Sequence, residues 1–143
     1  MKTSPNIFFI LAASLNALAA LIHLACIVFG GSWYRFFGAG EGIARLADAG
    51  HWYPPVFAAS VAGLLFIWSL YALSGAGVVR RLPLLKFSLC LISAIYVVRG
   101  LAFVMLMPYF PGNSLTFWLL SSAICLSLGL VHLAGLRQAW ARL

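Results

Sequence analysis

Four stretches of this chain run for 23 to 25 residues almost free of charge, and no other feature constrains the fold as much. They are Ile7–Gly30, Pro55–Val79, Leu84–Met107 and Ser114–Leu136; only the third contains charges, Lys86 near its start and Arg99 within it. About 20 apolar residues in a helix cross the hydrocarbon of a bilayer, so each stretch is long enough to span. A soluble domain has about 25% charged residues. This chain of 143 residues has 8%, with 64% hydrophobic, and cannot hide that much apolar surface at its size. The expectation is one all-α membrane domain over residues 1–143, a four-helix bundle with spans near 7–30, 55–79, 84–107 and 114–136.

Local signals punctuate these segments. Ser4-Pro5 reads as a cap before a proline, Pro54-Pro55 and Pro83 open the second and third spans, and Pro108 closes the third. Pro111-Gly112-Asn113-Ser114 reads as a tight turn whose serine caps the fourth. Lys2, the apolar run and Ala17-Leu18-Ala19 are compatible with a secretory leader, but the run continues to Gly30, too long for such a core, so it reads as a span.

Basic residues set the orientation. Lys2, Arg80, Arg81, Lys86, Arg137 and Arg142 fall in the two tails and the connection between spans two and three, against Arg35 and Arg45 in the other connections. Both termini are therefore expected in the cytoplasm. Trp33, Tyr34, Trp52, Tyr53, Tyr109 and Trp118 fall at the outer boundary and Trp140 at the inner one, as interfacial belts do. The net charge of +7 reads as anchoring against anionic lipid, and no nucleic-acid partner is expected, since no folded basic domain exists to bind one. Small or polar residues recur at helical spacing, such as Ala13, Asn16, Ala20 and His23 in span one and Ser121, Cys125, Gly129 and His132 in span four. Helix–helix packing accounts for nearly all of them.

Arg99 is different. It lies eight residues before the end of its span, roughly 12 Å along a straight helix. A central arginine costs about 2.5–3.5 kcal/mol on insertion scales and wants a partner or a route to water. The chain has two acidic residues, Glu41 and Asp48, both in the long outer connection 31–54. An acidic side-chain partner for Arg99 must come from there. In that connection Glu41, Arg45 and Asp48 share a helical face, predicting a short amphipathic helix lying on the outer surface. His23 sits at nearly the depth of Arg99. The candidate ligand-binding set is therefore Arg99, His23, Glu41, Asp48 and His51, with Tyr96 and Asn16 on the polar stripes of spans three and one. Three readings stand for Arg99: a structural ion pair to the outer helix, snorkelling to lipid phosphate, and an anchor for an anionic ligand.

Other chemistries lack their residues. Neither a metal nor a cofactor is expected: Glu41, Asp48 and His51 carry no recognised ligand motif, and His23 and His132 lie at opposite depths, unable to clasp one haem. Cys26, Cys90 and Cys125 are single and lack the paired spacing of disulfide exchange. No carboxylate lies within a span to carry protons.

The stretches Trp33-Tyr34-Arg35-Phe36-Phe37-Gly38-Ala39-Gly40-Glu41, Tyr96-Val97-Val98-Arg99-Gly100 and Pro111-Gly112-Asn113-Ser114 resemble small four-span bacterial inner-membrane proteins of unknown function. The resemblance implies a bacterial inner membrane and four spans, and assigns no residue a role. The expected function is a non-enzymatic binding or accessory protein whose outward polar cluster takes a small anionic or amphipathic molecule or a lipid. The alternatives are an oligomeric transporter and an enzyme on a lipid-soluble substrate, with Glu41, Asp48 or His51 as acid–base group. Membrane lipids are the expected partners, with a homo-oligomer or a larger membrane complex as host.

Overall fold

In the computed structural model, which describes residues 4–143, the chain is all-helical. Lys2 lies outside the described residues. The elements are α1 (Ile7–Phe29), α2 (Gly31–Phe36), α3 (Glu41–Asp48), α4 (Tyr53–Ala76), α5 (Leu85–Leu101), α6 (Phe103–Leu106), a single 3-10 turn (Met107–Tyr109) and α7 (Leu115–Ala139). Helices α1, α4 and α7 are each long and apolar enough to cross a membrane, and α5 with its continuation would make a fourth. These helices point to a membrane protein.

The helix ends show which signals acted. Asn6, not Ser4, caps α1: its Oδ1 accepts from the backbone N–H of Phe8 and Phe9 at 3.0 and 3.2 Å. Ser114 caps α7, accepting from Phe117 N–H at 3.1 Å. Gly77 closes α4 in the left-handed region (φ 80°), and Val78 N–H returns to the Leu73 carbonyl, the arrangement a glycine stop allows.

The third segment departs from expectation. A continuous helix over 84–107 is not formed: α5 ends at Leu101, and the following turns leave at 73°. Pro108 does not make this bend, because it sits in the 3-10 turn beyond it. The change of direction is at Ala102 (φ −90°, ψ 19°), which is neither glycine nor proline. Arg99 thus lies in the last turn of a 17-residue helix rather than deep within a longer one.

Helix α1 packs along α4, α5 along α7, and the two pairs meet mainly through α1 against α7. The interior is built of small side chains: Ala12, Ala13, Ala72, Ala76 and Ala139 around Phe9 near one end, and Ala20, Ala62, Ile92 and Leu128 in the middle. The Phe9 ring fits between two glycines; a Cβ on Gly135 would stand 2.8 Å from it, and one on Gly75 3.0 Å from it and 2.8 Å from Leu89. Large side chains such as Leu18, Ile67, Leu120 and Ile124 face outward, while Asn16, Ser93 and His132 are buried. Water would drive the opposite distribution. Small residues inside and large apolar ones outside suit an apolar surrounding, where close helix contact supplies the attraction.

The two ends differ. At one, which we call the basic end, Asn6 joins three helices: its N–H donates to Ala76 O at 3.1 Å and its Nδ2 to Gly135 O at 2.9 Å. At the other, the cap end, α2 and α3 lie over the helix ends, and Asn113 Nδ2 donates to Gly38 O at 3.0 Å. The ring of Phe117 lies against Gly38, leaving no space for a side chain there.

Candidate functional site

The amphipathic helix expected in the outer connection is α3, with Ala44 buried beneath it and Arg45 exposed. Its acids do not reach Arg99. Both turn to Arg35 of α2, whose Nε donates to Glu41 Oε2 at 2.8 Å and whose Nη2 approaches Asp48 Oδ2 at 2.9 Å. Arg45 stands 3.9 Å from Glu41 and is the weaker partner. The glycine at 31 is required by this clamp, because a Cβ there would overlap the Asp48 carboxylate. The ion pair between Arg99 and the outer helix, expected from the scarcity of acids, is therefore absent. A nearer cation, six residues from Glu41, takes both.

The clamp has a pH dependence with a definite sign. Hydrogen bonding from Arg35 holds the Glu41 carboxyl below the usual carboxylate range. A depressed folded-state value contributes stability above the unfolded value and loses it as pH falls through the folded one. Amide hydrogen exchange in α3 should therefore accelerate, relative to the intrinsic rate, as pH drops through the acid range below about 4.3. Arg35→Gln should already show fast exchange in α3 at neutral pH. Unchanged protection of α3 in that variant would mean that packing of Ala44, not the clamp, holds the helix down.

Arg99 is half-buried and makes one side-chain hydrogen bond, from Nη2 to Ser121 Oγ of α7 at 3.2 Å. Its guanidinium lies 5.4 Å from the centre of the buried Trp118 ring, a cation–π distance. Nη1 is buried and has no partner among the described residues. A cationic donor without an acceptor is costly, because desolvation is not offset. Ser121 and Trp118 thus orient the guanidinium and leave donor capacity unused. No carboxylate opposes it.

The remaining residues divide. His23 uses Nδ1 on the Ala19 carbonyl of its own helix at 2.8 Å. His51 is exposed, stacks on Trp52 and accepts at Nδ1 from Tyr53 N–H at 3.2 Å. Asn16 and Tyr96 meet each other instead of Arg99. Tyr96 Oη donates to Asn16 Oδ1 at 2.5 Å, and Asn16 Nδ2 donates to Ala12 O at 2.9 Å and lies 3.4 Å from His132 Nε2. His132 Nδ1 is 2.9 Å from Leu128 O, so it carries the proton and leaves Nε2 as acceptor. The Tyr96 and His132 rings lie 5.6 Å apart, and Trp68 packs edge-on to Tyr96 at 5.2 Å. This is a closed interior network crossing α1, α5 and α7, with its polar capacity used internally.

Two residues outside the candidate set matter most to this geometry. Arg35 was visible in the sequence only as a charge, although Glu41 six positions on, with Gly38 and Gly40 between, is a signal for a turn that brings the two together. His132 was visible as a polar residue on a packing stripe, but nothing in its spacing points to Asn16, 116 positions away. The chain matches no protein-family model, no curated protein sequence and no solved structure, so the site stands on its own geometry.

Proposed function

We propose that the chain is a multi-pass protein of a bacterial inner membrane, with the basic end in the cytoplasm and the cap end outside. It acts as a non-enzymatic binding or accessory protein that takes an anionic or amphipathic small molecule, a lipid included, at Arg99. The observation that carries this reading is a half-buried guanidinium with a buried, unpartnered Nη1, in a chain whose two acidic side chains are both engaged by Arg35. Ser121 and Trp118 hold the group in place, and an incoming phosphate or carboxylate oxygen would supply the missing acceptor. The bend after Leu101 leaves Arg99 in the final turn of α5. The apolar helix exterior supports lipid as the surrounding partner, and a second copy or a larger complex as host.

Native mass spectrometry of the protein released from mild detergent tests this reading. The wild type should retain an anionic amphiphile, and Arg99→Gln should retain it about ten-fold less or weaker still, the worth of a charge-assisted hydrogen bond of ~1.5 kcal/mol or more. Equal retention by a folded Arg99→Gln protein would refute the site. A broken third segment is also what transporters place at their substrate site, which favours oligomeric transport as the second reading. Protein-dependent uptake of an anionic solute into liposomes, abolished in Arg99→Gln, would select it over simple binding.

A further inference from the structure

The basic end carries a second feature that the Arg99 site does not use. The connection between α4 and α5 and the C-terminal segment enclose an open groove of about 660 Å³, lined by Arg81, Leu82, Leu84, Lys86, Phe87 and their neighbours. Two cations stand in a lining that is otherwise apolar. Lys86 Nζ sits 3.8 Å above the Trp140 ring and donates to Trp140 O at 3.1 Å, while Arg81 donates to the main-chain oxygens of Arg142 and Leu143. Both cations line the same groove. Leu84 is 76% exposed and Phe87 65%, so the wall presents bare apolar surface beside the charges. Leu84 is also the one described non-glycine residue with positive φ, 51°.

Charge at this end is one-sided. Arg80, Arg81, Lys86, Arg137 and Arg142 gather here, and no acidic side chain does, because the only two in the chain are clamped at the cap end. Two cations beside exposed leucine and phenylalanine complement a molecule with a phosphate at one end and acyl chains at the other. Resting on the membrane reading above, we propose that this groove docks an anionic phospholipid. Its phosphodiester lies between Arg81 and Lys86, and its acyl chains run along Leu84 and Phe87. The occupant is a lipid rather than free phosphate because most of the lining is apolar and would gain nothing from an ion in water.

Nanodiscs of equal phosphatidylglycerol and phosphatidylcholine content, followed by native mass spectrometry of the retained lipids, test the proposal. The wild type should enrich phosphatidylglycerol. The double variant Arg81→Gln/Lys86→Gln should lower that enrichment about 25-fold, about five-fold for each cation. Arg137→Gln/Arg142→Gln, at the same end but with neither residue a principal groove cation, should change it far less. Equal losses in the two double variants would overturn the groove in favour of a diffuse field, and an unaltered enrichment in Arg81→Gln/Lys86→Gln would overturn it outright. Should that variant fail to fold, the wild type still decides: its enrichment should fall between about 0.05 M and about 0.5 M salt, and persistence would overturn the proposal. A wild type that inserts into bilayers without preferring phosphatidylglycerol overturns the groove alone, whereas one that does not insert overturns the membrane reading.

Discussion

Gly100→Leu should drive α5 and α7 apart and leave little folded protein in detergent. At Gly100 an added Cβ would stand 2.9 Å from the Leu126 Cβ and 3.0 Å from its backbone nitrogen. At Gly129, on the facing helix, it would stand 2.7 Å from Val97 Cγ2 and 3.1 Å from the Val97 nitrogen. Main-chain atoms cannot turn aside as a flexible side chain can, so the helices must separate. Close approach is what holds two helices together in an apolar solvent, so separation removes the attraction as it relieves the clash. Even Gly100→Ala should cost about 1–3 kcal/mol, the usual range for overpacking. Gly63 provides the control, because a Cβ there meets nothing within 4 Å. Gly63→Ala should hold its thermal midpoint or raise it, as alanine favours the helix. If Gly100→Ala melts with Gly63→Ala, the close contact between α5 and α7 is not what stabilises the pair. The same contact brings Arg99, one position before Gly100, to Ser121 and Trp118, so loosening it should also weaken ligand retention.

Asn16→Leu should be the most damaging change to a polar side chain in the interior, with a loss of about 2–4 kcal/mol. It strands two buried groups at once, the Tyr96 hydroxyl and His132 Nε2, on residues 6% and 0% exposed. A polar contact between helices in a bilayer is worth ~0.6 kcal/mol on average and up to ~1.7, but an unpaired buried group costs about 1–3 kcal/mol. Tyr96→Phe should cost about 1 kcal/mol, because it removes a donor while Asn16 keeps its bonds to Ala12 and His132. In the Asn16→Leu background the same change should cost nothing or restore some stability, since the stranded hydroxyl is gone. Denaturation midpoints of the four proteins measure this coupling. Strict additivity would mean that the hydroxyl and the amide do not act as a pair.

The candidate residues show where reading the chain alone reaches its limit. The shortage of acids was legible, and so was the amphipathic pattern of 41–48, which forms α3. Those acids do not pair with Arg99, because charge scarcity carries no information on distance. Arg35 lies closer to Glu41 and Asp48 than any residue of α5, and it satisfies both. Asn16 and Tyr96 were legible as polar residues on packing stripes, but their partner His132 comes from the far end of the chain, through the docking of α1 on α7. Asn6 directly precedes the first apolar run, yet its bonds to Ala76 and Gly135 depend on three helices ending at one level.

Helical character and segments of bilayer length were written into the order of the residues, because both follow from local composition: long uncharged apolar runs must satisfy their backbone internally. The bend after Leu101 was not, since neither glycine nor proline stands at Ala102, where the direction changes. Nor was the freedom of the Arg99 guanidinium. Which cation an acid chooses is settled by a few ångströms between segments distant in sequence, and such distances exist only once the helices have packed.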